Sequence, residues 1–157
     1  MLDIGACDGV LFRRLGARIS GGVGIDPDAS PANDGSVRLI GGMFPDDLDT
    51  TELFDAVTAL AVFEHVDDDA RDVFAAACLA QLKPGGRCIL TVPSPMVDHV
   101  LDVLIRLRIL DGMHEEEHHG FDATQTPAIF TGAGFELGKA RKFQLGLNNL
   151  FVFRKPA

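Results

Sequence analysis

At 157 residues, with 46% apolar and 24% charged residues, the chain reads as one globular domain rather than a disordered or fibrous segment. A net charge of −9, from 14 Lys and Arg against 23 Asp and Glu, argues against a protein that grips nucleic-acid backbone, because that work needs clustered cations. Cys7, Cys78 and Cys88 are odd in number and scattered, so neither a disulfide framework nor a paired zinc signature is present. With no signal peptide and no run of ~18 apolar residues, the expectation is a cytoplasmic protein without membrane insertion.

Leu2 to Ile4 reads as a short buried strand running into Gly5-Ala6-Cys7-Asp8-Gly9, where two glycines let main-chain N–H groups approach a ligand closely. Val10, Leu11 and Leu15 follow at helical spacing and predict a helix from Val10 to Arg18. Its N-terminus offers free donors and the positive end of the macrodipole, which favours a carboxylate or phosphate. Gly22 to Asp26 is a second short strand ending in an acid before Pro27. Doubly wound nucleotide folds place a ribose-binding carboxylate at about this ~20-residue spacing, since its two acceptor oxygens match two vicinal hydroxyl donors. Asp28 to Gly35 leaves room for a helical turn or two before a third strand, Val37 to Ile40.

Phe54 to Val62 is a near-continuous apolar run, as for a central parallel strand buried on both faces. Asp67, Asp68 and Asp69 can cap a helix with Val73, Phe74, Ala77, Cys78 and Leu82 on its apolar side, ended by Lys83-Pro84-Gly85-Gly86. Arg87 to Val92 is the fifth strand. A long helix follows from Met96 to Leu110, with Val97, Val100, Leu101, Leu104 and Ile105 on one side, and then a polar, histidine-rich stretch from Met113 to Asp122. Thr126-Pro127 starts a short helix reaching Gly132. The sixth strand runs from Gly134-Phe135-Glu136 to about Phe143 and the seventh from Asn149 to Lys155. Their short link, Gly146-Leu147-Asn148, makes them antiparallel.

The turn pattern Asp3-x-Gly5-x-x-x-Gly9 departs from the G-x-G-x-x-G of dinucleotide folds. It resembles motif I of the class I S-adenosylmethionine-dependent methyltransferases, [DE]-x-G-x-G-x-G, with Cys7 in place of the middle glycine. Phe54-Asp55-Ala56-Val57, Glu64-His65-Val66 and Leu82-Lys83-Pro84-Gly85-Gly86 match the family as a second block, so the resemblance spans residues 1 to 93. It implies an α/β, Rossmann-like methyltransferase sheet, mostly parallel, in order 3-2-1-4-5-7-6 with strand 7 antiparallel and helices on both faces. The cofactor implied is S-adenosyl-L-methionine. Asp3 would orient its amino-acid end and the backbone of Gly5, Ala6, Cys7 and Gly9 would lie against it. Asp26 and Pro27 would hold the ribose, Met43 and Phe44 the adenine, and Leu60 and Ala61 complete the set. Gly42 stands where the family often has an acid. Family members normally carry a helix and lead-in before the first strand, whereas Met1 is followed at once by it here, so a fragment or a minimal version is expected.

The resemblance implies methyl transfer to a small molecule, and the nearby histidines slightly favour oxygen acceptors. His65, just beyond the fourth strand, would serve as general base for a hydroxyl. The segment 96–122 is expected to form an acceptor-side lid within one domain over 1–157, with His118 and His119 toward the acceptor and His99 and His114 nearby. Two rivals come from other classes. His114-Glu115-Glu116-Glu117-His118 fits the zinc pattern H-E-x-x-H, with Glu136 as a distant third ligand. Gly112 before it and His119-Gly120 after it favour a solvated loop instead, with no metal. The other rival is a non-catalytic cofactor-binding or interaction domain, which turnover would exclude.

Overall fold

A computed structural model describes residues 1–94 and 121–157. The expected Met96 to Leu110 helix, the H-E-x-x-H stretch and all of the proposed lid except Phe121 and Asp122 lie outside the described residues. The strands are β1 (Leu2–Ile4), β2 (Gly22–Asp26), β3 (Ala32–Asn33), β4 (Val37–Gly41), β5 (Phe54–Leu60), β6 (Leu82–Pro93), β7 (Glu136–Phe143) and β8 (Asn148–Arg154). They form one sheet in the order β3-β4-β2-β1-β5-β6-β8-β7. The strands β1, β2, β4, β5 and β6 are parallel, and β8 runs antiparallel to both β6 and β7. The expected order 3-2-1-4-5-7-6 is present as β4-β2-β1-β5-β6-β8-β7, with β3 added antiparallel at one edge.

Register sorts the side chains onto two faces. Val23, Leu2, Val57, Cys88 and Phe153 form one buried row across the sheet, and Ile25, Ile4, Ala59, Leu90 and Phe151 the next. Two helices, α2 (Arg71–Ala80) and α3 (Thr126–Gly132), close over these rows with Phe74, Ala75, Cys78 and Phe130. Phe63 joins them, its ring 5.5 Å from Phe74 and 5.2 Å from Phe130, while Phe130 stacks on Phe153 at 4.7 Å. This is the aromatic face. On the opposite face α1 (Val10–Leu15) lays Phe12 over Gly22 and Gly24. A Cβ there would come within 2.6 Å and 3.0 Å of the Phe12 ring, so glycine is what permits the helix to sit so close to the strand.

The local differences from the sequence expectations have physical causes. The first helix stops at Leu15 because Gly16 turns out of helical geometry (φ 49, ψ −128), and Gly16–Arg18 is a separate 3-10 turn. The crossing from β2 to β4 holds no helix; its residues instead add the two-residue strand β3. A groove of about 500 Å³ lies beside it, lined in part by Phe12, Ile19, Val37 and Leu39. In α2 the buried side chains are Arg71, Phe74, Ala75 and Cys78, whereas Val73 is 59% exposed and Leu82 belongs to β6. The aspartates before it do not cap it: Ala70 is the capping residue, without a side-chain bond. Asp68 pairs with Arg71 instead. The fourth strand ends at Leu60, not Val62. The link between the last two strands is a 3-10 turn at Gln144–Gly146, and β8 begins at Asn148.

Candidate functional site

Five parallel strands end on one edge of the sheet, and the turns after four of them, β1, β2, β4 and β5, bring most of the expected residues together. After β1 the chain takes positive φ at Gly5 (75), Cys7 (46) and Gly9 (75) within five residues. Gly5 donates its N–H to the Ile25 carbonyl at 2.9 Å, tying the loop to β2. A Cβ on Gly5 would lie 2.3 Å from Val62 Cγ2, so only glycine lets the loop pass beneath the turn after β5. Ala6 is buried, its methyl filling the space beside Gly24, whereas Cys7 is exposed. The Val10 N–H, expected as a free donor, is taken by Asp8 Oδ1 at 3.1 Å.

Asp26 closes β2 and shapes both turns at once. Its Oδ2 accepts the Cys7 N–H at 2.9 Å and its Oδ1 the Asp28 N–H at 2.8 Å. Each oxygen keeps a lone pair for a further donor. Pro27 beside it is exposed. Asp3 lies one strand away with 4% of its surface exposed, and its Oδ1 accepts the Thr58 hydroxyl at 2.6 Å. Burial pushes the Asp3 carboxyl up to about 6; the Thr58 hydrogen bond opposes that shift and the neighbouring Asp26 charge adds to it. Asp3 is therefore a carboxylate at neutral pH that takes a proton in mild acid.

After β4, Met43 is 59% exposed at the edge, while the Phe44 ring turns inward to an edge-on contact with Phe74 at 5.2 Å. Of the two expected adenine contacts, Met43 presents the open surface. Asp47 was missed in the sequence. Its Oδ2 accepts the Met43 N–H at 2.7 Å, and the same oxygen would be 2.9 Å from a Cβ on Gly42. Asp47 thus puts a carboxylate into the space that a side chain at 42 would fill, where the resemblance calls for an acid. The only signal for it was the Gly42 vacancy followed by an acid within one turn.

After β5, Leu60 is 39% exposed and Ala61 adopts φ 57, its N–H donating to the Thr91 carbonyl and hydroxyl, each at 3.0 Å. His65 follows, exposed on the 3-10 turn Phe63–His65. A buried cation steadies that turn. Arg71 Nε donates to the Val66 carbonyl at 3.1 Å, and the guanidinium lies 4.7 Å from the centre of the Phe121 ring, which meets Phe63 edge-on at 5.7 Å. His118 and His119 lie outside the described residues. Glu136, the distant third ligand of the zinc pattern, is exposed at the start of β7. Among the described residues no three His, Cys, Asp or Glu side chains gather as a metal site, and no helix is long and apolar enough to cross a membrane.

The profile of a family described as "Methyltransferase domain" matches residues 1–139. The ubiquinone biosynthesis O-methyltransferase of Bradyrhizobium sp. (strain ORS 278) is 37% identical over 102 residues, 58% of this chain and 38% of that protein. A protein of the same name from Rhodopseudomonas palustris (strain HaA2) is 36% identical over 97 residues, 55% of this chain and 36% of that one. The match therefore spans little more than a third of these relatives' length. Among solved structures, the methyltransferase bound to the Haloferax volcanii Trm112 activator superposes with a TM-score of 0.73 at 18% identity, covering 99% of this chain and 82% of that one. The N-methyltransferase NodS from Bradyrhizobium japonicum WM9, in complex with S-adenosyl-L-homocysteine, gives 0.70 at 17% identity, covering 99% and 77%. At these identities the likeness is one of fold.

Proposed function

Because the chain belongs to the methyltransferase domain family, we propose that it transfers a methyl group to a small-molecule acceptor, with an oxygen atom as the favoured recipient. The cofactor of this fold is S-adenosylmethionine, which supplies a methyl group already activated on a sulfonium. One observation carries the assignment to these residues: Asp3 within β1, Asp26 at the end of β2 and Asp47 in the turn after β4 come from three neighbouring strands around a loop whose Gly5 cannot bear a side chain. A cationic amine, a pair of ribose hydroxyls and an exocyclic amine are the donors that three such carboxylates would accept, and the cradle fits the group.

The chain's own residues divide the work. Asp3, ionised above about pH 6, would hold the ammonium end; Asp26 would accept the ribose hydroxyls while fixing the loop through the Cys7 N–H. Asp47 beside Met43 would read the adenine amine. Holding the acceptor oxygen in line supplies much of the rate gain in such a transfer. His65, exposed on the turn after β5, would take the proton of a hydroxyl acceptor. The names of the curated relatives, ubiquinone biosynthesis O-methyltransferases, support the oxygen preference.

Calorimetry with S-adenosylhomocysteine tests the site. Binding is expected to weaken as pH falls through about 6, as Asp3 takes its proton, and NAD is expected to compete poorly. Equal competition by NAD would overturn the assignment. Tight cofactor binding with no methyl transfer to a panel of small phenols and amines would favour the non-catalytic reading.

A further inference from the structure

Asp3 sits in the middle of β1, with Gly24 of β2 beside it on one side and Thr58 of β5 on the other. Gly24 has no side chain to offer it. Thr58 is buried between Val57 and Ala59, in a strand whose inner residues are otherwise apolar. A hydroxyl costs free energy in such a place unless it is bonded, and Val suits a buried strand at least as well. The Thr58 hydroxyl lies 2.6 Å from Asp3 Oδ1 and 3.3 Å from the Leu2 carbonyl. The shorter distance is that of a charge-assisted bond from a hydroxyl to a carboxylate.

We propose that Thr58 is a positioning residue of the cofactor site, which holds Asp3 Oδ1 so that the carboxylate stands ready to accept a cationic amine. The inference rests on the methyl-transfer reading of this edge. A hydroxyl has one proton and two lone pairs. While Asp3 is ionised, Thr58 donates to it; once Asp3 takes a proton, the carboxyl O–H can donate to Thr58 and the threonine proton can turn to the Leu2 carbonyl. The pair thus survives in either state, but only the first receives a cation. Other charged and titratable groups lie on the elements around Asp3: Asp26 on β2, Cys7 and Asp8 in the loop, Arg13 and Arg14 on α1, and Asp55 on β5. Asp8 pairs with Arg13 and Asp55 with Lys83. The Asp26 charge acts on Asp3 in the same direction as burial, and the Thr58 bond is what opposes them.

Calorimetry with S-adenosylhomocysteine on the parent, Thr58→Val, Thr58→Ala and Thr58→Ser tests this. Losing the hydroxyl should move the Asp3 titration up by about one unit, the scale of one charge-assisted hydrogen bond. The Val and Ala variants should then bind about fivefold more weakly than the parent near pH ~6 and almost as well near pH ~8. Thr58→Ser keeps the hydroxyl and should restore the parent profile. Thermal melts of the free proteins give a readout without cofactor. A group whose folded pKa is raised loses its contribution to stability as pH rises through that value, so the fall caused by Asp3 should extend about one unit higher in Thr58→Val. Equal weakening at both pH values, an unchanged profile in folded Thr58→Val and Thr58→Ala, or a serine variant that behaves like the valine one would overturn the proposal alone. A folded parent that binds no S-adenosylhomocysteine at either pH would overturn the methyl-transfer reading, and the role of Thr58 with it.

Discussion

The aromatic face and the carboxyl edge of the same sheet are built in opposite ways. On the aromatic face, successive rows of apolar side chains meet Phe63, Phe130 and Phe153, each 0% exposed, with extended strands beneath and helices above. At the edge, Cys7 and Ala61 hold positive φ without being glycine, and Asp3 is a carboxyl kept almost entirely from water. Such backbone strain and desolvation each cost on the order of 1–3 kcal/mol and persist only where the surroundings over-determine them. The difference teaches that cohesion is concentrated on one side of the sheet, and that strain is concentrated where a ligand would profit from a fixed cradle.

The largest effect should come from the cohesive side. Phe130→Ala removes a ring that touches Phe63, Phe135 and Phe153, and urea unfolding should show a loss of about 3–5 kcal/mol. A loss below about 1 kcal/mol would break the comparison. Next is Asp3, whose carboxyl rises from 3.8 to about 6 on folding. The folded state holds this proton more tightly than the unfolded one, so its contribution to stability falls as pH rises from about 4 to about 6 and stays lost above. At about 1.4 kcal/mol per unit the change is up to about 3 kcal/mol. Asp3→Asn should flatten that window in thermal melts. Asp8, Asp34, Asp55 and Asp122 are held below the usual carboxylate range, so their contributions are lost only as pH falls beneath the window.

Gly5→Ala should cost about 2–3 kcal/mol of stability, from the left-handed backbone and the clash with Val62. Adding Val62→Ala should restore the steric part and leave the backbone part, which a double-mutant cycle would separate. Asp26→Ala should weaken S-adenosylhomocysteine by about 1.5–3 kcal/mol in calorimetry, and unchanged affinity in the folded variant would remove Asp26 from the site. The smallest effect sharpens the contrast from outside it: Val73→Asp, on the exposed side of α2, should move stability by no more than about 0.5 kcal/mol.

The strands, the glycine turn and the place of Asp26 at a strand end were legible because each rests on local signals, namely short apolar runs, glycine spacing and an acid closing a run, whereas the strand order came from the resemblance. Three features were not legible. Arg71 carried no signal in the sequence because the carbonyl and ring that bury it, Val66 and Phe121, come from other elements. Val73 was assigned to the core for the same reason, since apolar spacing does not reveal which face of a short helix a distant arginine has already claimed. Asp47 was hidden by position: the acid that the resemblance places at 42 enters that space from five residues on. Of the expected acceptor-side histidines, His118 and His119 fall outside the described residues, and His65 is exposed on the turn after β5.

All 11 aromatic residues are phenylalanine, with no tryptophan or tyrosine anywhere in the chain. The ring stack that holds the fold is therefore almost transparent in the near ultraviolet, where adenine absorbs strongly. Any purine retained through purification would dominate the absorbance spectrum and could be counted directly against a protein concentration measured by amino-acid analysis. A single tryptophan introduced at Phe121, beside the Arg71 guanidinium, would be the molecule's sole fluorophore of its kind. Its emission would report on the turn that carries His65 with no background to subtract.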